Sequence, residues 1–148
     1  MNQGIISGAD KFSNSHHKKF PEIDAAKGDG IFVFPKGKIE EFSNDESLAR
    51  PWFKNSAVAR YATATWTKEK LLYADGVKQL TPGTLLYLER FKPILKARRE
   101  FQDGNRPWYN LHWARASKIF EHDKIVAPQR SNRNTFGYNN IPWYASAD

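Results

Sequence analysis

The 148-residue chain contains no cysteine, so disulfides and thiolate metal sites are excluded and the fold must be held by burial of apolar side chains. It also has no long apolar run, and no stretch approaches the length needed to span a membrane. The opening "MNQGIISGADKF" has no basic segment leading into an apolar one, so a secretory signal is not expected and the expected location is cytoplasmic. Internal repeats and low-complexity tracts are missing as well. Glycine and proline are scattered as turn punctuation, and one domain over residues 1–148 is the simplest organisation.

Catalytic patterns are equally sparse. His16 and His17 are adjacent, and neighbours in an extended segment point to opposite faces, so they are not expected to share a metal. His112 and His122 lack a second histidine or carboxylate at ligand spacing, and Ser7 lacks the glycine two residues earlier that a nucleophile elbow requires. One stretch does resemble a catalytic loop: Asn140-Ile141-Pro142-Trp143 is close to the Asn-Pro-Pro-aromatic loop with which methyltransferases grip an exocyclic amine. Such an enzyme also needs a glycine-rich loop after a strand, so that backbone can approach the methyl donor. Here Gly28-Asp29-Gly30 precedes the apolar run "IFVF", which is the wrong order. The expectation is therefore a strand beginning at Pro142 with Trp143 and Tyr144 on opposite faces, and no enzyme activity in this chain alone.

What the sequence has is positive charge and aromatic residues. Lys plus Arg number 23 against 16 Asp plus Glu, a net charge of +7, with 14% aromatics. That balance favours a polyanionic partner, with a merely solubilising basic surface as the alternative.

Local patterns predict a mixed fold. "GIISGAD" reads as a short strand entering a turn, and "HHKKFPEIDAAKGDG" as a polar, turn-rich surface segment. "IFVF" and "KLLYAD" read as strands closed by Pro35-Lys36-Gly37 and Asp75-Gly76, with a short helix or turn over residues 43–47 between them. A helix is predicted from Thr81-Pro82, where Thr81 caps and Pro82 suits the first helical position. Leu85, Leu88, Phe91 and Leu95 give it one apolar stripe, and Pro93 predicts a kink or break. "WYNLHWARASKIF", "DKIVAP" and "IPWYASA" read as further strands. Without regular βαβ alternation, the expected class is α+β, with small mixed or antiparallel sheets and one long helix.

The densest candidate site is "QRSNRN". Arg130 and Arg133 supply two guanidiniums, and Gln129, Asn132 and Asn134 three side-chain amides. Arginine forks match guanine edges and Asn or Gln amides match adenine edges, so these five residues are candidates for base readout; a solvated polar loop would share the composition.

The order of blocks "FKPILKARREF", "WYNLHWAR", "KIFEHDKIVAP" and "TFGYNNIPWYASAD" resembles the TaqI-like C-terminal specificity domain, the target recognition domain fused behind an adenine-N6 DNA methyltransferase. "QGIISGAD", "GIFVF", "ARPWFKNSAVARY" and "KLLYAD" are similar to the blocks that precede these in type IIG restriction-modification enzymes, so the resemblance covers nearly the whole chain. It implies duplex DNA as partner, beside an N-terminal methyltransferase domain whose catalytic loop and S-adenosylmethionine site are not in this sequence. This chain itself is then expected to carry no cofactor, and to be a piece of a longer polypeptide truncated at its C-terminal end. Within that reading, Lys54, Arg60, Arg98, Arg99, Arg115 and Lys118 are candidates for phosphate contacts, and Lys124 stands between the two classes. For Arg98 and Arg99 the alternative is the ordinary role of cations at a helix C-terminus. Trp52, Phe53, Trp108 and Trp113 are assigned to core or domain packing. The rival readings are an aromatic-rich protein-interaction module and a catalytic fragment built around "NIPW".

Overall fold

The computed structural model describes residues 2–77, 79–104 and 106–147. In chain order the strands are β1 (Val33–Pro35), β2 (Ala49–Phe53), β3 (Val58–Ala59), β4 (Ala62–Thr63), β5 (Glu69–Leu72), β6 (Lys124–Val126), β7 (Gly137–Asn139) and β8 (Tyr144–Ala145). The helices are α1 (Asn14–Lys19), α2 (Pro82–Glu89), α3 (Lys92–Lys96) and α4 (Lys118–Glu121). This is a mixed α+β fold of small sheets and short helices.

The core is organised by a four-stranded sheet in the order β1-β5-β2-β8. The apolar run from Ile31 to Phe34 is fully buried, and it ends where Pro35 has no N–H to extend the ladder and Gly37 turns the chain at φ 89°. β5 lies antiparallel between β1 and β2, with Leu71 opposite both Val33 and Arg50. β8 then joins β2 in parallel, pairing Trp52 with Tyr144, so a strand near the end of the sequence completes a sheet begun at Val33. Trp52, Leu71, Leu72 and Tyr144 are all buried within it.

The helical stripe covers this sheet, but as two pieces. Thr81 caps α2 by accepting from the Thr84 N–H at 3.4 Å. The helix stops at Glu89 because Pro93 cannot donate back to the carbonyl four residues earlier. The chain restarts at Lys92, which puts Pro93 in the first turn of α3, where a missing N–H does no harm. Leu88, Phe91 and Leu95 of the stripe are buried, and Leu85 packs against them half-buried. Tyr87 fastens α2 to the sheet edge: its ring stacks on Phe42 at 4.0 Å and its hydroxyl donates to the Gly30 carbonyl at 2.8 Å.

Three segments differ from their sequence patterns. "GIISGAD" forms no strand, because successive residues change partner: Ile5 bridges Ser146 and Ile6 bridges Trp113, so no ladder propagates. Within the polar stretch, Asn14–Lys19 forms a one-and-a-half-turn helix, capped reciprocally by Ser13 and His16. "WYNLHWARASKIF" is turn and then α4 rather than strand. Its carbonyls are taken by arginines instead of a neighbouring strand: Arg98 Nη2 donates to Trp108 and Asn110, and Arg106 to Leu111 and His112. No helix among the described residues is long and apolar enough to cross a membrane.

The stripe makes a direct prediction. Phe91→Ala should lower the unfolding free energy by about 3–5 kcal/mol, the usual range for truncating a buried aromatic. Leu86→Ala, at a position 69% exposed on the same helix pair, should change it by less than about 0.5 kcal/mol. Urea unfolding followed by circular dichroism checks both.

Candidate nucleic-acid interface

The loop "QRSNRN" connects β6 to β7, an antiparallel hairpin in which Lys124 faces Asn139 and Val126 faces Gly137. A second, smaller hairpin, β3–β4, pairs Val58 with Thr63 and turns through Arg60 and Tyr61. The two hairpins are joined by backbone and side-chain bonds. The Tyr61 N–H donates to the Phe136 carbonyl at 2.8 Å, and the Asn139 amide donates to Thr63 Oγ1 at 2.9 Å. The Gln129 N–H donates to Asn55 Oδ1 at 3.2 Å, tying the start of the loop to the turn before β3.

This joint dictates two residues. A Cβ on Gly137 would lie 2.7 Å from the backbone carbon and oxygen of Ala62, so only glycine lets the hairpins approach this closely. Asn139 is buried, and both ends of its amide are used, the oxygen accepting from the Ile141 N–H at 3.2 Å. Strand alternation then turns the neighbours outward. Phe136 is 47% exposed, Tyr138 58%, and across the ladder Ile125 75%. The inward positions hold a glycine and an asparagine while the outward ones hold rings, the reverse of an ordinary half-buried strand.

Gln129, Arg130, Asn132, Arg133 and Asn134 are all exposed, and among the described residues none of their side chains has a hydrogen bond or ion pair. The loop is shaped from within by Ser131, whose hydroxyl donates to the Arg133 carbonyl at 2.7 Å, accepts from the Arg133 N–H at 3.3 Å and meets Thr135 Oγ1 at 3.1 Å. The polar ends that could meet base edges are therefore free, while the backbone that carries them is turned by a residue in its middle.

The other candidate cations divide sharply. Arg60 is exposed beside this loop, its guanidinium 5.0 Å from the Tyr61 ring centroid and donating to the Tyr61 hydroxyl at 3.0 Å. Lys118 at the start of α4 and Arg99 are exposed and, among the described residues, unpaired. Lys54 pairs at 3.8 Å with Glu69, a carboxylate that it shares with Lys11. Lys124 donates to the carbonyls of His122 and Ile141, at 3.0 and 2.8 Å, and burial lowers its pKa, with Asp123 opposing. It clasps the base of the hairpin rather than standing free. Arg115 takes a left-handed backbone, φ 60°, and reaches back to Gln3 and Gly4.

Arg98 is committed inside the protein. Its guanidinium donates to the carbonyls of Leu95, Ser7, Trp108 and Asn110 and lies 4.0 Å from the Phe101 ring centroid. Burial, reinforced by Arg106, lowers its pKa to about 10, so it remains charged at neutral pH. The bond to Leu95 is the helix-end role that sequence allowed as an alternative. Arg98 and Arg99, adjacent in sequence, thus do different work.

Of "NNIPWY" only Tyr144 enters the four-stranded sheet: β8 begins there, so the strand does not start at Pro142 as the sequence suggested. Trp143 is buried, stacked on Phe53 at 4.6 Å and 14°, with its indole N–H donating to the Ala64 carbonyl at 2.9 Å, so its ring is already covered. Tyr144 is buried on the other side against Phe120 and Tyr73. Ile141 and Pro142 form one wall of an open groove of about 500 Å³, shared with Phe53, Trp66, Arg50 and Lys70. Of the tryptophans assigned to packing, Trp52 is buried and Trp108 half-buried, whereas Trp113 is 47% exposed. His112 pairs with Glu100 at 3.1 Å, and no group of three His, Cys, Asp or Glu residues placed to hold a metal is found among the described residues.

The division of cations is measurable. Arg98→Ala removes a donor shared by four carbonyls, of which that of Ser7 keeps the His112 N–H, and should destabilise the fold by about 3 kcal/mol, whereas Arg99→Ala should shift it by less than about 0.5 kcal/mol. Asn139→Ala should reduce stability by about 1–3 kcal/mol. It should also speed amide exchange through residues 124–139 ahead of the four-stranded sheet, read by hydrogen–deuterium exchange.

Compared with models of known protein families and with curated proteins, the chain matches none.

Proposed function

We propose that this chain binds duplex DNA as the target recognition domain of an adenine-N6 DNA methyltransferase of the restriction-modification type, and that residues 129–134 read base edges. The observation that carries the reading is the hairpin loop itself: two guanidiniums and three amides, all exposed and unpaired, on a hairpin fixed at its base. Side chains that serve only the fold are tied down, as Arg98 is; these are not. Their chemistry matches the guanine and adenine edges exposed in a major groove.

Backbone contacts then fall to the free cations. Arg60 adjoins the loop, and Lys118 and Arg99 carry unpaired charge elsewhere on the surface. Arg98 is spent on internal carbonyls and drops out of this role; Arg115 is engaged by Gln3 and Gly4, Lys54 is partly neutralised by Glu69, and Lys124 is held by two backbone carbonyls. Methyl transfer, and the S-adenosylmethionine it uses, belong to a separate catalytic domain that the resemblance implies. The contribution of this domain is to fix which sequence is presented and to offset the few kcal/mol needed to turn an adenine out of the helix.

A protein-docking role draws support from Ile125 and Trp66, which are exposed and apolar. Salt separates the two readings, because counterion release makes DNA binding fall steeply with ionic strength while apolar docking does not. The chain should bind a labelled duplex with Kd of ~10⁻⁴ to 10⁻⁶ M at physiological salt, measured by fluorescence anisotropy. Lys118→Ala should reduce the slope of log K against log salt by roughly one, whereas Arg133→Ala, at a base-edge position, should cost ~1–3 kcal/mol on the preferred sequence and relax the choice at one base pair. Affinity that stays constant from ~50 to ~200 mM salt would favour protein docking instead.

A further inference from the structure

Tyr61 has no task in the fold that explains it. It stands at the tip of the two-residue turn between β3 and β4 and is 68% exposed. Its backbone lies in the left-handed region at φ 66°, a conformation that glycine or asparagine adopts readily and an aromatic residue does not. The strain is held in place by the bond from its N–H to the Phe136 carbonyl. A turn that glycine would make more easily therefore carries a large, solvent-facing ring, and a local outlier of this kind is a mark of function.

The surroundings say what the ring would meet. Arg60 lies 5.0 Å from its centroid, and Phe136 meets it nearly perpendicular, at 6.1 Å and 82°. A flat ring on a protruding tip offers no pocket for an aliphatic side chain, but it does offer a platform for another flat ring. A guanidinium beside the platform suits the phosphate attached to that second ring. The ligand with both features is a nucleobase that has lost its stacking neighbour.

We infer that Tyr61 is a stacking wedge, which places its ring against an unstacked base of the bound DNA while Arg60 holds the adjoining phosphate. This rests on the duplex-binding reading above and adds a contact that involves neither base edges nor charge alone. Turning a base out of a duplex leaves an open step and an orphaned partner base, so the DNA state that this wedge favours is the one that methylation of an adenine requires. Phe136, hydrogen-bonded through its carbonyl to Tyr61, couples the wedge to the readout loop that begins its descent into β7.

The test compares two duplexes of one sequence, one fully paired and one carrying 2-aminopurine opposite an abasic site. Binding is followed by anisotropy, and stacking on the probe base by quenching of 2-aminopurine emission. The wild-type chain should bind the defective duplex about tenfold more tightly than the paired one and quench its probe. Tyr61→Ala should lose both effects while keeping paired-duplex affinity within about threefold, and Tyr61→Trp should retain both. Tyr61→Gly should melt no lower than the wild type, since it relieves the backbone, and should lose the quenching; this separates loss of the ring from loss of the fold. Quenching that survives in Tyr61→Ala would overturn the wedge, as would a wild type that binds both duplexes equally, and either result leaves the duplex-binding reading intact. Failure of the wild type to bind either duplex would overturn both.

Discussion

The loop that joins β6 to β7 depends on one close approach, that of the Gly137 backbone to the Ala62 backbone. Without it the β6–β7 hairpin would be a two-stranded ribbon standing in solvent, and an isolated hairpin is marginally stable at best in water. With it, the Tyr61 N–H reaches the Phe136 carbonyl and the Asn139 amide reaches Thr63, so a ten-residue connection acquires a fixed base. Lys124 completes the arrangement by clasping the Ile141 carbonyl where the chain leaves the hairpin for β8. The contact also sets which side chains face outward. Because Gly137 and Asn139 must be inside, Phe136 and Tyr138 must be out.

A chain with a net charge of +7 need not display all of it. Arg98 and Arg106 serve as bridges between backbone segments, taking up carbonyls that a strand partner would otherwise satisfy. Planar, multi-donor guanidiniums suit that work, and a lysine could not span the same set. The remaining exposed cations are fewer but better defined. Arg60, Arg130 and Arg133 lie on the two joined hairpins, which also carry the exposed rings of Tyr61, Phe136 and Tyr138; the Arg60 guanidinium lies against the Tyr61 ring. Charge beside stacking surface is the combination that nucleic-acid binding uses.

Where a residue's role followed from local pattern, the sequence showed it. The strand in "IFVF", observed over Val33–Pro35 rather than the whole run, the strands in "KLLYAD" and "DKIVAP" and the break near Pro93 are all set by apolar runs and proline chemistry acting over a few residues. The composition of residues 129–134 marked them as a candidate site for the same reason. What escaped depends on partners distant in sequence. "WYNLHWARASKIF" has strand composition, yet its carbonyls are claimed by Arg98 and Arg106; "GIISGAD" meets a different partner at each residue. Arg98 and Arg99 look alike on paper and are separated only by what surrounds each guanidinium. The aromatic rim of the hairpins was missed although a signal existed: in "TFGYNN" the small and amide residues alternate with rings, which suggests that the rings face away from the core.

The most direct measurement is a map of backbone amide shifts by nuclear magnetic resonance as a duplex is added. The hairpin arrangement predicts that the largest changes fall in residues 129–139 and at Arg60–Thr63, with the Ser7, Trp108 and Asn110 cluster around Arg98 little affected. Changes concentrated around Arg98, or in the groove beside Pro142, with the loop from Gln129 to Asn134 unmoved, would contradict it.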